Sequence, residues 1–463
     1  MDTFSFFGDT RLDSRQDSLI EAMITRQSVV VNQLSEHRKD QVAFQRFLNN
    51  KKVNTDRILS CYQLNNPVDY SGKELLLIQD TSDVCLGFNA NRGLLGYIGQ
   101  NTKKTGFDLH PCIVLDANDG ACYGLASLEI HYTDYAKTIE RQQKGLPKPI
   151  NKAPFEEKQS YRWVSTAEKA IENSPNAASY TIVGDQESDI YDAIARFKQQ
   201  GYDYLIRSRG NRLIETSDGG SELLTKQLQR WNVEFEFSLA LPKTDKRTAH
   251  QANLKVKFGK TTLLQPKSRP DKTVDKQVEV FVIEVKESPD TVVNNEKPIH
   301  WILITSHPIE NQQQALHYIQ CYCWRWLIEQ VFRTLKSKGL DIENSQIEDK
   351  QALENQTVLA LIAAVQILQL VQARDGKTQQ KTDQVFTPDE IDCLKKLNEK
   401  LEGKTAKLKN PHPTNSLAFA SWVIARLGGW KGYKGKARPP GPITMKIGIV
   451  RFYNVMQGYY LLL

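Results

Sequence analysis

The sequence predicts an α/β protein: a mixed sheet flanked by helices, with an all-β insertion, a helical N-terminal domain and a helical C-terminal region. Two short apolar runs that end in an acid, ELLLIQD (74–80) and SYTIVGD (179–185), have the unbroken hydrophobicity of buried central strands. Between about 213 and 306 the chain instead alternates apolar and polar positions, the period of strands with one wet face. Helical spacing dominates before and after these stretches.

In chain order, GDTRLDSRQDSLIEAMI, DQVAFQRFLNN and TDRILSCY repeat apolar residues every three or four positions, which predicts helices over about 10–65. After the first strand, HPCIVLDANDGACYGLASLEIHY (110–132) holds two β-rich runs around Asn118-Asp119-Gly120, a hairpin signal. The second acid-ended strand is followed by the helical QESDIYDAIARFKQQ and the strand YDYLIRSR (202–209). Strands alternating with helices in this way make a mixed sheet with helices on its faces, and chemistry in such sheets gathers beyond the strand ends. VEFEFSLAL, ANLKVKFG, QVEVFVIEV and HWILITS form the insertion, with no helix expected among them. Past Pro308, residues 310–339 predict one helix ending at a glycine, and 351–376 another; 377–384 is expected to be a solvated linker. The domain boundaries expected are 1–68 (helical), 69–375 (the mixed sheet with its insertion at about 213–306) and 376–463 (helical).

The chain has 463 residues, 40% hydrophobic and 25% charged, ordinary for a globular protein. No apolar run is expected to reach bilayer-spanning length, and the N-terminus lacks a basic start with an apolar core, so a cytoplasmic location without membrane association is expected. Seven scattered cysteines include a Cys321-x-Cys323 pair, but no second pair or adjacent His completes a zinc site, which favours reduced thiols. The net charge of +7 permits an anionic partner without demanding one. The basic residues bunch at 404–410 and 430–442, as DNA-contacting segments or as solvated linkers.

The most informative segment runs from Tyr322 to Lys336. At about 100° per residue, an unbroken helix would set Arg325, Glu329 and Lys336 within about 60° of Tyr322. One face would then carry a phenol, a guanidinium, a carboxylate and an ammonium. A solvated Arg–Glu pair explains two of these. A phosphate-handling site explains all four, with the carboxylate as a metal ligand, the cations on phosphate oxygens and the phenol as a hydrogen-bond donor. Asp80 and Asp185, at their strand ends, would complete a carboxylate set for two Mg²⁺ ions, although acids also stand at strand ends simply for solvation.

The pattern Tyr322-x2-Arg325-x3-Glu329-x6-Lys336 resembles the Tyr-Arg-Glu-Lys motif of the insertion-sequence-four family of DDE transposases, which includes the transposase of transposon five. IQDTS (78–82) and VGDQESDI (183–190) are similar to the family's two aspartate segments, and 43–53 and 424–445 also look like family members. The resemblance implies an RNase H-like catalytic core in which Asp80, Asp185 and Glu329 are both catalytic and metal-binding, with two Mg²⁺ per site and Mn²⁺ as an alternative. It implies DNA-phosphate contacts from Tyr322, Arg325, Lys336 and Arg207, and a base-stacking role for Trp301; the plainer alternatives are a strand-end surface arginine and a core tryptophan. The implied activity is cut-and-paste transposition: hydrolysis at the inverted transposon ends, hairpin formation and opening, then joining of the 3′ ends to target DNA by a homodimer. A nuclease of the same fold without strand transfer and a non-catalytic DNA-binding descendant stay as alternatives.

Overall fold

The computed structural model of the chain describes residues 5–86, 105–132, 144, 153–241, 247–267, 271–294, 296–336, 339–431 and 440–460. The N-terminal region is helical as expected: α1 (Thr10–Arg26), α2 (Val31–Leu34), α3 (Arg38–Leu48) and α4 (Thr55–Asn65). Asp9 and Asn54 cap α1 and α4, their side chains accepting from the backbone N–H groups of Arg11 and Arg57.

Six strands follow: β1 (Glu74–Gln79), β2 (Ser82–Cys85), β3 (Gly106–Asp116), β4 (Cys122–His131), β5 (Ser179–Gly184) and β6 (Asp203–Arg207). β3 and β4 form the expected hairpin, turning through Gly120 at φ +74. β1 lies antiparallel to β3 and parallel to β5, and β5 is parallel to β6. The spatial order β4-β3-β1-β5-β6 is consistent with an RNase H-like core. Leu75 and Leu77 of β1 join the core under α5 (Arg162–Glu172) and α6 (Tyr191–Gln199), whereas Leu76 and Ile78 join the core on the other face. That alternation explains why the strand reads as continuously apolar: both of its faces are covered.

Two short strands that the pattern did not signal, β7 (Leu213–Glu215) and β8 (Ser221–Leu223), precede the four expected insertion strands, β9 (Phe235–Leu241), β10 (His250–Leu264), β11 (Gln277–Glu287) and β12 (His300–Thr305). One further feature differs from expectation. A helix, α7 (Leu224–Arg230), interrupts them, because LTKQLQR buries Leu224 and Leu228 one turn apart. The strands join the sheet of the core: β12 pairs antiparallel with β6, and all belong to one twelve-stranded sheet.

The C-terminal part comprises α8 (Gln312–Trp324), α9 (Trp326–Leu335), α10 (Lys350–Ala373), α11 (Pro388–Leu401), α12 (Leu417–Leu427) and α13 (Pro442–Tyr460). The single helix expected over 310–339 is divided at Arg325, where the N–H groups of Arg325 and Ile328 reach back only three residues, to Tyr322 and Arg325. The expectation about apolar length is also corrected, since α10 is long and apolar enough to cross a membrane by length and composition. Its most apolar window is 83% buried inside the protein, as a core helix would be. Segment 377–384 is no solvated linker: Gln380, Thr382 and Gln384 are buried, and the Gln379 N–H donates to Asp119 Oδ2 at 2.9 Å. Of the basic segments, Lys404 and Lys409 are exposed, while 432–439 lie outside the described residues. None of the seven cysteines, all among the described residues, forms a disulfide.

Candidate functional site

Asp80 follows the last residue of β1 and Asp185 the last of β5, on parallel neighbouring strands, so both acids leave the sheet at the same edge. Gly184 makes the second turn feasible. A Cβ there would lie 2.6 Å from Ser188 Cβ and 3.3 Å from the Trp163 ring, closer than a side chain tolerates. Asp185 then caps a short turn, Oδ1 accepting from Glu187 N at 2.8 Å. The helix expected directly after Asp185 starts only at Tyr191. Asp189 holds the intervening turn to the loop after β6: its Oδ2 accepts from Arg209 N at 2.7 Å and from Ser208 Oγ at 3.1 Å, and its Oδ1 from Arg212 Nε at 3.0 Å.

The helical residues meet Asp80 through one guanidinium. Arg325 donates from Nη1 to Asp80 Oδ2 at 2.9 Å and from Nη2 to Glu329 Oε1 at 2.7 Å. Burial pushes Asp80 up to about 6; Arg325 opposes this, and the negative charges of Asp185 and Glu329 add to it. The three acids are therefore electrostatically coupled, with the Arg325 guanidinium lying between two of them. Among the described residues, no group of three or more His, Cys, Asp or Glu side chains is placed to hold a metal ion. The donor chemistry nonetheless suits one, since two hard carboxylates already gather a positive charge and a third is within electrostatic reach.

Tyr322 is buried, its ring edge-on to Trp301 with centroids 5.5 Å apart. Burial raises its phenol, while Arg325 and Arg207 pull the other way, Arg207 partly through a hydrogen bond. Arg207 also donates to the His300 carbonyl at 3.2 Å. Asp80, Asp185, Glu329, Tyr322, Arg325, Arg207 and Trp301 are thus brought together. Lys336 fits the expected arc less well. It stands past the end of α9 in a non-helical conformation, donates to the Asp83 carbonyl and lies 3.8 Å from Glu343.

Sequence reasoning missed three neighbours. His110, fully buried, bonds Thr81 Oγ1 at 2.8 Å and Gln79 Oε1 at 2.9 Å, the residues on either side of Asp80. Burial, with the charges of Arg162 and His131, holds this imidazole neutral. Trp163 packs edge-on against His110 at 4.5 Å and closes over Gly184, so a chain of contacts links the two strand ends. Trp326, 56% exposed beside Arg325, is the third; an aromatic next to the charged motif was its only signal.

Residues 165–366 match the family model described as the transposase DDE domain. The match includes Asp185, Arg207, Trp301, Tyr322, Arg325, Glu329 and Lys336 and begins after Asp80. Among solved structures, the cryo-electron microscopy structure of a piggyBac transposase synaptic complex with hairpin DNA aligns at 9% identity and a TM-score of 0.39, over 81% of this chain and 68% of that one.

Proposed function

We propose that the chain is a cut-and-paste DNA transposase related to the insertion-sequence-four family, cleaving transposon ends and joining them to target DNA as a homodimer. The observation that supports this is the bridging of Asp80 and Glu329 by Arg325, with Asp185 ending the neighbouring parallel strand at the same sheet edge, within a chain whose residues 165–366 match a transposase DDE domain. Asp80, Asp185 and Glu329 would hold Mg²⁺ or Mn²⁺, two ions per site, whose chemistry is to activate an attacking oxygen and stabilise a leaving one. Arg325 and Arg207 would bind phosphate oxygens by their planar forks, with Lys336 as a point charge and Tyr322 as a hydrogen-bond partner. Trp301, half-buried against Tyr322, presents a ring for an extruded base, whose lost stacking needs a new π-surface.

The test is incubation of purified chain and Mg²⁺ with DNA carrying the inverted ends that flank its gene. Hairpin ends and joined product are expected, both lost in Asp185→Ala. Nicking alone would mean a nuclease without strand transfer. Binding with no cleavage would mean a non-catalytic DNA-binding protein.

A further inference from the structure

We propose that Arg325 is a built-in counter-ion that closes the Asp80–Glu329 pair to divalent cations until a DNA phosphate draws its guanidinium away. This rests on the metal-binding reading above and adds an order to it, DNA before metal. Two observations carry the inference. Both oxygens of Asp80 are already engaged, Oδ1 by the Thr81 N–H at 2.8 Å and Oδ2 by Arg325 at 2.9 Å. The second arm of the same guanidinium takes Glu329 at 2.7 Å.

The Arg325 side chain is 11% exposed, so its charge is little screened by water. A divalent ion entering between the same two carboxylates would meet that charge at a few ångströms, where repulsion in a poorly solvated site is severe. Charge-assisted bonds of this geometry are among the stronger ones, so the guanidinium needs an equally good acceptor to leave. A phosphate is one, because the planar fork matches its oxygens. A path is present as well: the guanidinium carbon lies 5.9 Å from the Tyr322 ring centroid and 6.0 Å from that of Trp326, which faces solvent. Moving along these rings, the cation keeps an aromatic neighbour while it exchanges carboxylate for phosphate. Because coupling between ligands is reciprocal, metal should tighten DNA binding by the same factor that DNA tightens metal binding.

Free Mn²⁺ counted by electron paramagnetic resonance tests this on the full chain, with and without a duplex carrying the flanking inverted ends, after subtracting Mn²⁺ held by duplex alone. Native chain should bind Mn²⁺ at least about tenfold more tightly with DNA than without. Arg325→Gln should bind it at least about tenfold more tightly than native chain without DNA, a gain removed by adding Glu329→Gln. Native binding equal with and without DNA would overturn the proposal, and that arm requires no variant to fold. So would a folded Arg325→Gln with native affinity. Mn²⁺ binding that is tight but indifferent to Glu329 would instead refute the metal-site assignment.

Discussion

Replacing Gly184 by alanine is the sharpest perturbation of the strand end that carries Asp185. The added Cβ would lie 2.6 Å from Ser188 Cβ, with Ser188 Oγ closer still and the Trp163 ring at 3.3 Å. None of these neighbours is the free end of a flexible chain. Ser188 is tied to the Asp185 carbonyl at 2.7 Å, and Trp163 is wedged against His110. The turn itself must therefore shift, at a cost of about 1–3 kcal/mol for overpacking a filled site. The shift falls on the residue before Asp185, and a displacement of about 1 Å at a reacting centre can lower a rate by about a hundredfold. Chemical denaturation would read the first effect and cleavage of end-carrying DNA the second. Adding Ser188→Gly removes the nearest clash and should restore part of both. Native stability together with native cleavage in Gly184→Ala would show that the turn is not held as described.

Other consequences are as direct. Burial, with the charges of Glu390 and Asp17, raises Glu21 from 4.5 to about 7, so its neutral form favours the fold and that contribution is lost as pH rises between those values. Discounted for partial exposure, Glu21→Gln should exceed the native chain by about 1–2 kcal/mol at pH 8 and equal it at pH 4, by denaturant titration at both. Gln356, buried in α10, donates to the Val29 carbonyl at 2.7 Å; Gln356→Leu should cost about 1–3 kcal/mol in the same assay. Asp80, raised to about 6 chiefly by burial, must lose its proton to bind a cation, so Mn²⁺ affinity should be flat above about pH 7 and fall as pH drops below about 6. Affinity constant down to pH 4.5 would remove Asp80 from the ligand set.

The sheet was legible wherever burial writes itself into a local pattern. ELLLIQD and SYTIVGD end in acids because the strands emerge there from cover on both faces, and Asn118-Asp119-Gly120 marks the hairpin because its glycine takes φ +74. The break at Arg325 was not legible, since its backbone stays in the helical region and only the hydrogen bonds shorten. Nor was the burial of Gln380 and Thr382: their polar side chains suggest solvent, yet they serve carbonyls far away in sequence, those of Cys122 and Ser416. The roles of His110 and Asp189 escaped for a related reason. Each acts on partners about twenty or more residues distant, which no window of periodicity can see.

One apolar cluster runs from Phe7 through Leu76 and Leu361 to Met456, crossing the boundaries at 68 and 376 that composition suggests. α10 sits in its middle and reaches the amino-terminal helices through amides, Asn355 to the Leu48 and Val53 carbonyls at 2.9 and 3.2 Å. Cutting the gene at either boundary would therefore strip an oily surface bare on both pieces, and excised fragments would clump. Studies of this molecule are better served by point substitutions in the intact polypeptide than by dissection.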